Sequence, residues 1–186
     1  MSRRALLVVV VLLAGLGGAL SGGAGCSRRA QPGAEPRPPI DRSLMACLGA
    51  LRAYHRQADV HLAAGDPRAA VRSMEQILSL TCIGRKNPEI QEAVLDAYGR
   101  LGRLHLKLGE LDQADRRVAQ GLARPGPPSF FRANLLMVRG DLLDARAEKQ
   151  DQAGHKKEAK ALRRQAIAAF EKSARMNRAL LEGLVR

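Results

Sequence analysis

A spacing of 44 residues recurs in the middle of this chain and limits what it can fold into. Tyr54 and Tyr98 are 44 residues apart, and Gly65 and Gly109, each followed by an acidic residue, have the same separation. Apolar residues between them follow the i, i+3, i+4 spacing of a helix face, and nowhere do apolar and polar residues alternate long enough for a strand. Two copies of a helix–turn–helix unit are therefore predicted, each turning at its glycine.

Capping signals divide the rest of the chain in the same way. Side chains that can accept the free amides of a first helical turn stand at four predicted helix starts, Asp41, Asp66, Asn87 and Ser129. Pro67 and Pro88 follow two of them, where a missing N–H costs nothing. Aromatic residues make up only 3% of the chain and Trp is absent, so the core must be built from Ala, Leu and Val. That composition suits stacked helices and predicts an all-α fold.

A third copy of the unit is interrupted by extra residues. Leu136, Arg139 and Gly140 repeat the spacing of the first helix, and Ala166 with Phe170 repeats that of the second. From Leu136 to Ala166 the separation is 30 residues, compared with 16 in the other copies. An excess of two heptads, divided evenly, lengthens each helix by about two turns. The third pair is therefore predicted to be elongated, with its turn near residues 152–154 and a final helix carrying the apolar stripe Ala159, Leu162, Ala166, Ala169, Phe170, Ser173, Asn177, Leu180, Leu181 and Leu184.

The pattern Tyr98-x2-Leu101-Gly102-x2-His105, followed by Ala114-x3-Val118 and Pro127, resembles the tetratricopeptide repeat. The resemblance covers residues 44–180 and implies a short array of about three helix pairs within residues 41–186. The sequence departs from the family pattern in lacking Trp, in placing Gln57 and Arg139 where Leu is usual, and in about ten extra residues around CIGRKNPEIQ. An irregular array of helical hairpins is the alternative.

The first 25 residues have the order of a secretory signal. Arg3 and Arg4 precede an apolar stretch of 16 residues, and small residues follow it. The segment Gly23-Ala24-Gly25-Cys26 resembles the lipobox of bacterial lipoproteins, although Leu is usual at the position of Gly23. The resemblance implies that Cys26 is acylated and becomes the new N-terminus. An ordinary cleaved signal and an uncleaved anchor are the alternatives.

Residues 26–40 have the composition of a linker, with four prolines and no apolar pattern. They are predicted to be a disordered tether that reaches about 40 Å from a membrane. By the lipoprotein resemblance, Ser27 after the cysteine implies sorting to the outer membrane. The expected location is the cell envelope, on the periplasmic face of the outer membrane, with the lipid as the contact to the bilayer.

Two further cysteines flank the first predicted turn. Cys47 lies 18 residues before Gly65 and Cys82 lies 17 residues after it, so the two are nearly level in an antiparallel helix pair. An exported chain can form disulfides, and a Cys47–Cys82 bridge is favoured. Two buried free thiols are the alternative.

Tetratricopeptide arrays bind partners in a groove lined by their first helices, and the resemblance carries that expectation to this chain. The candidate groove residues are Arg52, His55, Asp59, Arg103, Lys107, Asn134, Met137 and Asp141. Their mixed charges suggest a polar peptide or protein segment as the partner. Asp59 and Arg103 stand where carboxylate-gripping members of the family have Asn, so that activity is not carried over.

No motif for catalysis, a cofactor or a metal is found. The four histidines make no ligand pair with metal spacing, and the glycine-rich segment lies in the leader. The chain is therefore predicted not to be an enzyme, and a protein or peptide segment of an envelope complex is the expected partner; nothing fixes the oligomeric state.

The net charge of +13 is concentrated toward the C-terminus, where residues 154–186 carry nine Lys or Arg against three Asp or Glu. The alternative function is therefore charge-driven binding to an anionic envelope polymer or membrane surface. Nucleic acid is not expected, because the predicted export removes it and stacking aromatics are missing among the basic residues.

Overall fold

The computed structural model describes residues 41–84 and 86–184, and these form an all-helical protein. The six α-helices are α1 (Arg42–Ala63), α2 (Pro67–Ser79), α3 (Pro88–Lys107), α4 (Leu111–Ala123), α5 (Phe130–Gln152) and α6 (Lys156–Leu184). A short 3₁₀ turn, Thr81–Gly84, lies between α2 and α3. The predicted signal (1–25), the predicted tether (26–40) and Cys26 lie outside the described residues. Within them, no helix combines the length and the apolar character that crossing a membrane requires.

The helices pack as three consecutive antiparallel pairs, α1 with α2, α3 with α4 and α5 with α6. Each pair also packs against the next, because α3 lies on α1 and α2, and α5 lies on α3 and α4. This arrangement is consistent with a short tetratricopeptide-like array and confirms the predicted fold class.

The three turns within the pairs share one backbone geometry. Gly65, Gly109 and Gly154 have φ values of 77°, 75° and 83°, a region that only glycine occupies without strain. The amide that follows each glycine donates back to the helix over 2.9 Å, for example from Glu110 to the carbonyl of His105. Together with the bond that the amide of each glycine donates to the helix, this bond forms a Schellman motif. The predicted stops at all three glycines are confirmed.

The four predicted N-caps are also confirmed. Asp41, Asp66, Asn87 and Ser129 each accept a first-turn amide through the side chain. α4 differs, because Glu110 at its N-cap makes no such bond. The carboxylate of Glu110 instead contacts Nδ1 of His105 at 2.8 Å.

Small side chains allow the helices to approach closely. Ala58, Ala70 and Ala114 are completely buried. A Cβ at Gly102 would lie 2.7 Å from Cγ2 of Val118 in the same pair and 2.9 Å from Cγ1 of Val138 in the next pair. α3 can therefore approach both α4 and α5 this closely only with glycine at position 102.

The third pair is elongated, as predicted. α6 has 29 residues, compared with 13 in α2 and α4. α5 has only 23, compared with 22 in α1 and 20 in α3, so the predicted lengthening of each helix by about two turns is wrong for α5. Most of the described positions in the predicted stripe of α6 are buried or half-buried. Leu181 is 57% exposed, so its assignment to the stripe was wrong. Leu181 follows the exposed Ile167 and Ala174 at intervals of seven residues, so it lies on the outward side of α6, whereas the preceding Leu180 is half-buried.

Candidate functional site

The first helices of the three pairs, α1, α3 and α5, lie side by side and bring the predicted groove residues onto neighbouring helices. At the contact of α3 with α5, a Cβ at Gly99 would lie 3.2 Å from Nδ2 of Asn134, so a larger residue at position 99 would shift the Asn134 side chain. We call this region the first-helix surface. It comprises Arg52, His55 and Asp59 of α1, Arg103 and Lys107 of α3, and Asn134, Met137 and Asp141 of α5.

Arg100 of α3 connects two of the predicted residues on α1. Its guanidinium donates from Nη1 to Nδ1 of His55 at 3.0 Å and from Nη2 to the carboxylate of Asp59. Asp96, one turn before Arg100, lies 3.7 Å from the same imidazole nitrogen. The side chains at the α1–α3 junction are therefore fixed by a charged network.

The imidazole of His55 is neutral in this network. Arginine can only donate, so Nδ1 must be the acceptor and the proton must reside on Nε2. Burial lowers the pKa of His55, and Arg100 lowers it further, while Asp96 opposes both. Burial is the largest of these effects. It acts by disfavouring the charged form of the ring.

Arg103 connects α3 to α5 in the same way. Its Nη1 donates to Oδ1 of Asn134 at 2.8 Å. Burial raises the pKa of Asp141, and the nearby Asp144 adds to this effect, whereas the positive charge of Arg103 lowers the pKa. The structure thus brings together Arg103, Asn134 and Asp141 at the α3–α5 junction.

Three further predicted residues of this surface, Arg52, Lys107 and Met137, are exposed. Arg52 and Lys107 form no hydrogen bond or ion pair with any side chain in the described part of the chain. Met137 is 46% exposed. Phe130, at 49% exposure, stands seven residues before Met137 and therefore on the same side of α5.

Sequence reasoning missed Arg100, Asp96 and Phe130. The helical spacing of Phe130, Asn134, Met137 and Asp141 is i, i+4, i+7 and i+11, so the aromatic side chain could have been found from the register of α5 alone. The contacts of Arg100 could not, because they depend on how α3 is positioned along α1.

A cleft of about 670 Å³ lies between the start of α4, the end of α5 and the start of α6. Arg146 of α5 lines the cleft and donates to two carboxylates of α4, Asp115 at 3.0 Å and Asp112 at 3.1 Å. The cleft exists because the third pair is longer than the second, and its charged lining forms ion pairs between the two.

A disulfide joins Cys47 in α1 to Cys82 in the 3₁₀ turn. The two Sγ atoms are 2.04 Å apart and the Cα atoms are 6.2 Å apart. The bond connects the start of the first pair to the segment that leads into the second. Disulfides of this kind generally form and persist in oxidising compartments.

Titratable side chains at the turn between α3 and α4 form structural contacts. Residues 41–84 and 86–184 contain no cluster of three or more His, Cys, Asp or Glu side chains that could hold a metal ion. His105, which is only 5% exposed, pairs with Glu110, and Glu110 in turn lies 3.3 Å from Arg68. These residues stabilise the turn between α3 and α4 and its contact with α2.

Comparison with known protein families identifies a tetratricopeptide repeat over residues 95–116. The match begins within α3, crosses the turn at Gly109 and ends within α4, and it includes Arg100, Arg103 and Lys107. Searches of curated proteins and of solved structures found no match to the chain. A tetratricopeptide repeat in an all-helical protein indicates a protein–protein interaction module, and scaffolds of this family are typically non-catalytic.

Proposed function

We propose that the chain is a lipid-anchored interaction module of the bacterial envelope that holds a segment of a partner protein on its first-helix surface. Acylated Cys26 attaches it to the outer membrane, and residues 27–40 extend the helical array into the periplasm. The three helix pairs then present α1, α3 and α5 to the partner.

The observation that supports this proposal best is the pattern of side chains on α5. Phe130 and Met137 are about half exposed, and Asn134 and Asp141 alternate with them on the same side. Exposed aromatic and methionine side chains are frequent anchors at interfaces. A partner segment with apolar side chains at intervals and polar groups between them would match this pattern.

The charges of the first-helix surface favour acidic groups in that segment. Arg52 and Lys107 are exposed cations without an ion-pair partner among the described residues. Asp59 and Asp141 are already close to Arg100 and Arg103. Rim charges of this kind steer association and select partners more than they add affinity.

Photo-crosslinking tests the proposed surface directly. A photoreactive phenylalanine analogue replaces Met137 in intact cells, and a second variant carries it at Arg72, which is exposed on α2. We expect a discrete adduct from position 137 that is absent from position 72. Phe130→Ala in the position 137 variant should reduce the adduct by at least about tenfold, the typical cost of removing an interface anchor.

Two results would contradict the proposal. The same adducts from positions 137 and 72 would show nonspecific contact, and an adduct that survives both Phe130→Ala and Arg103→Glu would place the partner elsewhere. Circular dichroism of each variant checks that the helices remain folded.

The anchor is tested separately by fractionating cells that produce a Cys26→Ser variant. We expect the variant to leave the membrane fraction while the unaltered chain stays in it. If the variant remains attached to the membrane to the same extent, acylation of Cys26 is not the anchor.

A further inference from the structure

The outer side of α6 is uncovered, unlike the corresponding sides of the other second helices. α2 packs against α3 of the next pair, and α4 packs against α5, whereas α6 packs extensively only on α5 among the described elements. The structure therefore leaves one long helix face at the end of the array open.

Equivalent positions in the three pairs show that this face of α6 lacks the contacts with a following helix pair that α2 and α4 have. Val71, Asp115 and Ile167 each follow the buried alanine of their second helix. Val71 is 9% exposed and lies in the core, and Asp115 accepts a hydrogen bond from Arg146 of the next pair. Ile167 is 56% exposed.

Basic side chains dominate this open face. Lys157, Lys160 and Arg164 follow one another at i, i+3 and i+7, so they lie on one side of α6. All three are exposed, and none forms an ion pair within the described part of the chain. Arg178 continues the same side, roughly 32 Å from Lys157 along the helix axis. We call Lys157, Lys160, Arg164 and Arg178 the basic face.

Glu158, in the first turn, is exposed but lies on a neighbouring side of α6, and the acidic residues on the basic face itself come toward the end of the helix. Glu171 lies 3.6 Å from Arg175, and Glu182 follows four residues after Arg178. Arg163 and Lys156, on the flank of the same face, are already paired with Asp151. The uncompensated positive charge is therefore greatest over the first turns of α6, at the projecting end of the third pair.

The apolar side chains of this side are too sparse to form a seam for another helix. Ile167 and Leu181 are 14 residues apart, and the exposed residue midway between them is Ala174. By contrast, α2 offers Val71, Met74 and Ile77 within seven positions to the core. A long basic face with isolated apolar residues suits a flat anionic surface better than a packed helix.

We propose that the basic face of α6 docks on an anionic phospholipid surface. The ligand is the head-group layer of a bilayer. Lys157, Lys160 and Arg164 bind its anionic groups, and the exposed Ile167 contacts the same layer. This inference adds to the proposed function, because the lipid anchor keeps a bilayer within reach, but it does not involve the first-helix surface.

A local probe on α6 tests the proposal with the full chain. Ala168→Cys, one turn after Arg164, is labelled with the environment-sensitive fluorophore NBD in a Cys26→Ser background. Vesicles of phosphatidylcholine with about 30% phosphatidylglycerol supply the anionic surface, and pure phosphatidylcholine vesicles are the neutral comparison. We expect a blue shift and a rise in NBD emission with the anionic vesicles, reversed at about 0.5 M salt.

Charge reversal identifies the residues responsible. Each cation near such a surface contributes about fivefold to binding, so Lys157→Glu, Lys160→Glu and Arg164→Glu together should weaken the response by at least about 100-fold. The matched control reverses Arg56, Arg72 and Arg116, which are exposed and without ion pairs among the described residues but lie on other helices. This control should retain most of the response.

Several outcomes would overturn the inference. These are an equal emission change with neutral vesicles, no change with either kind of vesicle, or equal losses in the two reversed variants. A label that responds to an acidic protein of the envelope but not to vesicles would assign the face to a protein partner instead. Since the Met137 adduct reports on the first-helix surface alone, a failure here is distinguishable from a failure of the proposed function.

Discussion

The ring of Phe170 in α6 lies directly against Gly140 in α5. A Cβ at position 140 would be 2.3 Å from Cε1 of the ring and 2.6 Å from Cδ1. The two helices of the longest pair therefore approach closely only because residue 140 has no side chain, and Phe170 fills the space that this leaves.

Gly140→Ala is expected to destabilise the protein for this reason. The new methyl group would have to displace an aromatic ring in a packed interface, and overpacking of this kind costs about 1–3 kcal/mol. Urea unfolding followed by circular dichroism at 222 nm would measure the loss.

Gly49→Ala is the matched control. Gly49 lies in α1, and no atom of another part of the structure is within 4 Å of a Cβ built there. The same substitution should therefore raise the free energy of unfolding by about 0.5–1 kcal/mol, because alanine has the higher helix propensity. Equal losses from the two variants would show that packing against Phe170 is not the cause.

The contact between Gly140 and Phe170 could have been predicted from the sequence, because the second helix pair contains an equivalent contact. Gly140 occupies the place of Gly102, and Phe170 occupies that of Val118, which would contact a Cβ at position 102. Local signals likewise predicted the caps and turns, since each depends on a few neighbouring residues. Leu181 was wrongly placed because the stripe includes both Leu180 and Leu181, and the helix turns the second of them to the outward side, where Ile167 also lies.

The Cys47–Cys82 disulfide is expected to make a large contribution to stability. It closes a loop with a sequence separation of 35 residues, and in the chain-entropy model a loop of this size contributes about 3–4 kcal/mol. Dithiothreitol should therefore lower the urea midpoint of the oxidised protein markedly. The double variant Cys47→Ala and Cys82→Ala should begin at the lower midpoint and not respond to dithiothreitol; a response of the same size would rule out the bond as the cause.

The first-helix surface was predicted less completely than the fold. The resemblance placed His55, Asp59 and Arg103 on neighbouring first helices, and the structure brings each of them into a contact between helices. It did not indicate Arg100, which makes two of those contacts. Which cation meets which carboxylate depends on the shift of one helix along another, and a shift of a single turn would exchange the partners.

Asp141→Asn is expected to stabilise the protein slightly at neutral pH. The raised pKa of Asp141 means that the folded state holds its proton to higher pH than the unfolded state, so stability falls as pH rises through the interval between the two pKa values. Asparagine removes this effect. The gain should be at most about 0.5 kcal/mol, because the carboxylate is partly exposed, and it should vanish below about pH 4, where both states are protonated.

The influence of Arg103 provides the check on that prediction. Its positive charge lowers the pKa of Asp141 and so opposes the effect of burial. In an Arg103→Gln background, Asp141→Asn should therefore give a larger gain at pH 7 than in the unaltered protein. A gain no larger than in the unaltered protein would mean that Arg103 does not stabilise the carboxylate of Asp141. A loss from Asp141→Asn in the unaltered protein would mean that attraction to Arg103 outweighs burial.

Acidification is expected to destabilise the protein through His55. Because the pKa of His55 is lowered in the folded state, the unfolded chain takes up the proton first as pH falls below about 6.5, and stability is lost from there down to the folded pKa. Protonation would also end the hydrogen bond from Arg100 and place two positive groups 3.0 Å apart. Urea unfolding at pH 7 and pH 5 should show a loss for the unaltered protein that His55→Gln reduces by up to about 1 kcal/mol, since the ring remains partly solvated. An unchanged loss in the variant would assign the acid sensitivity to other groups.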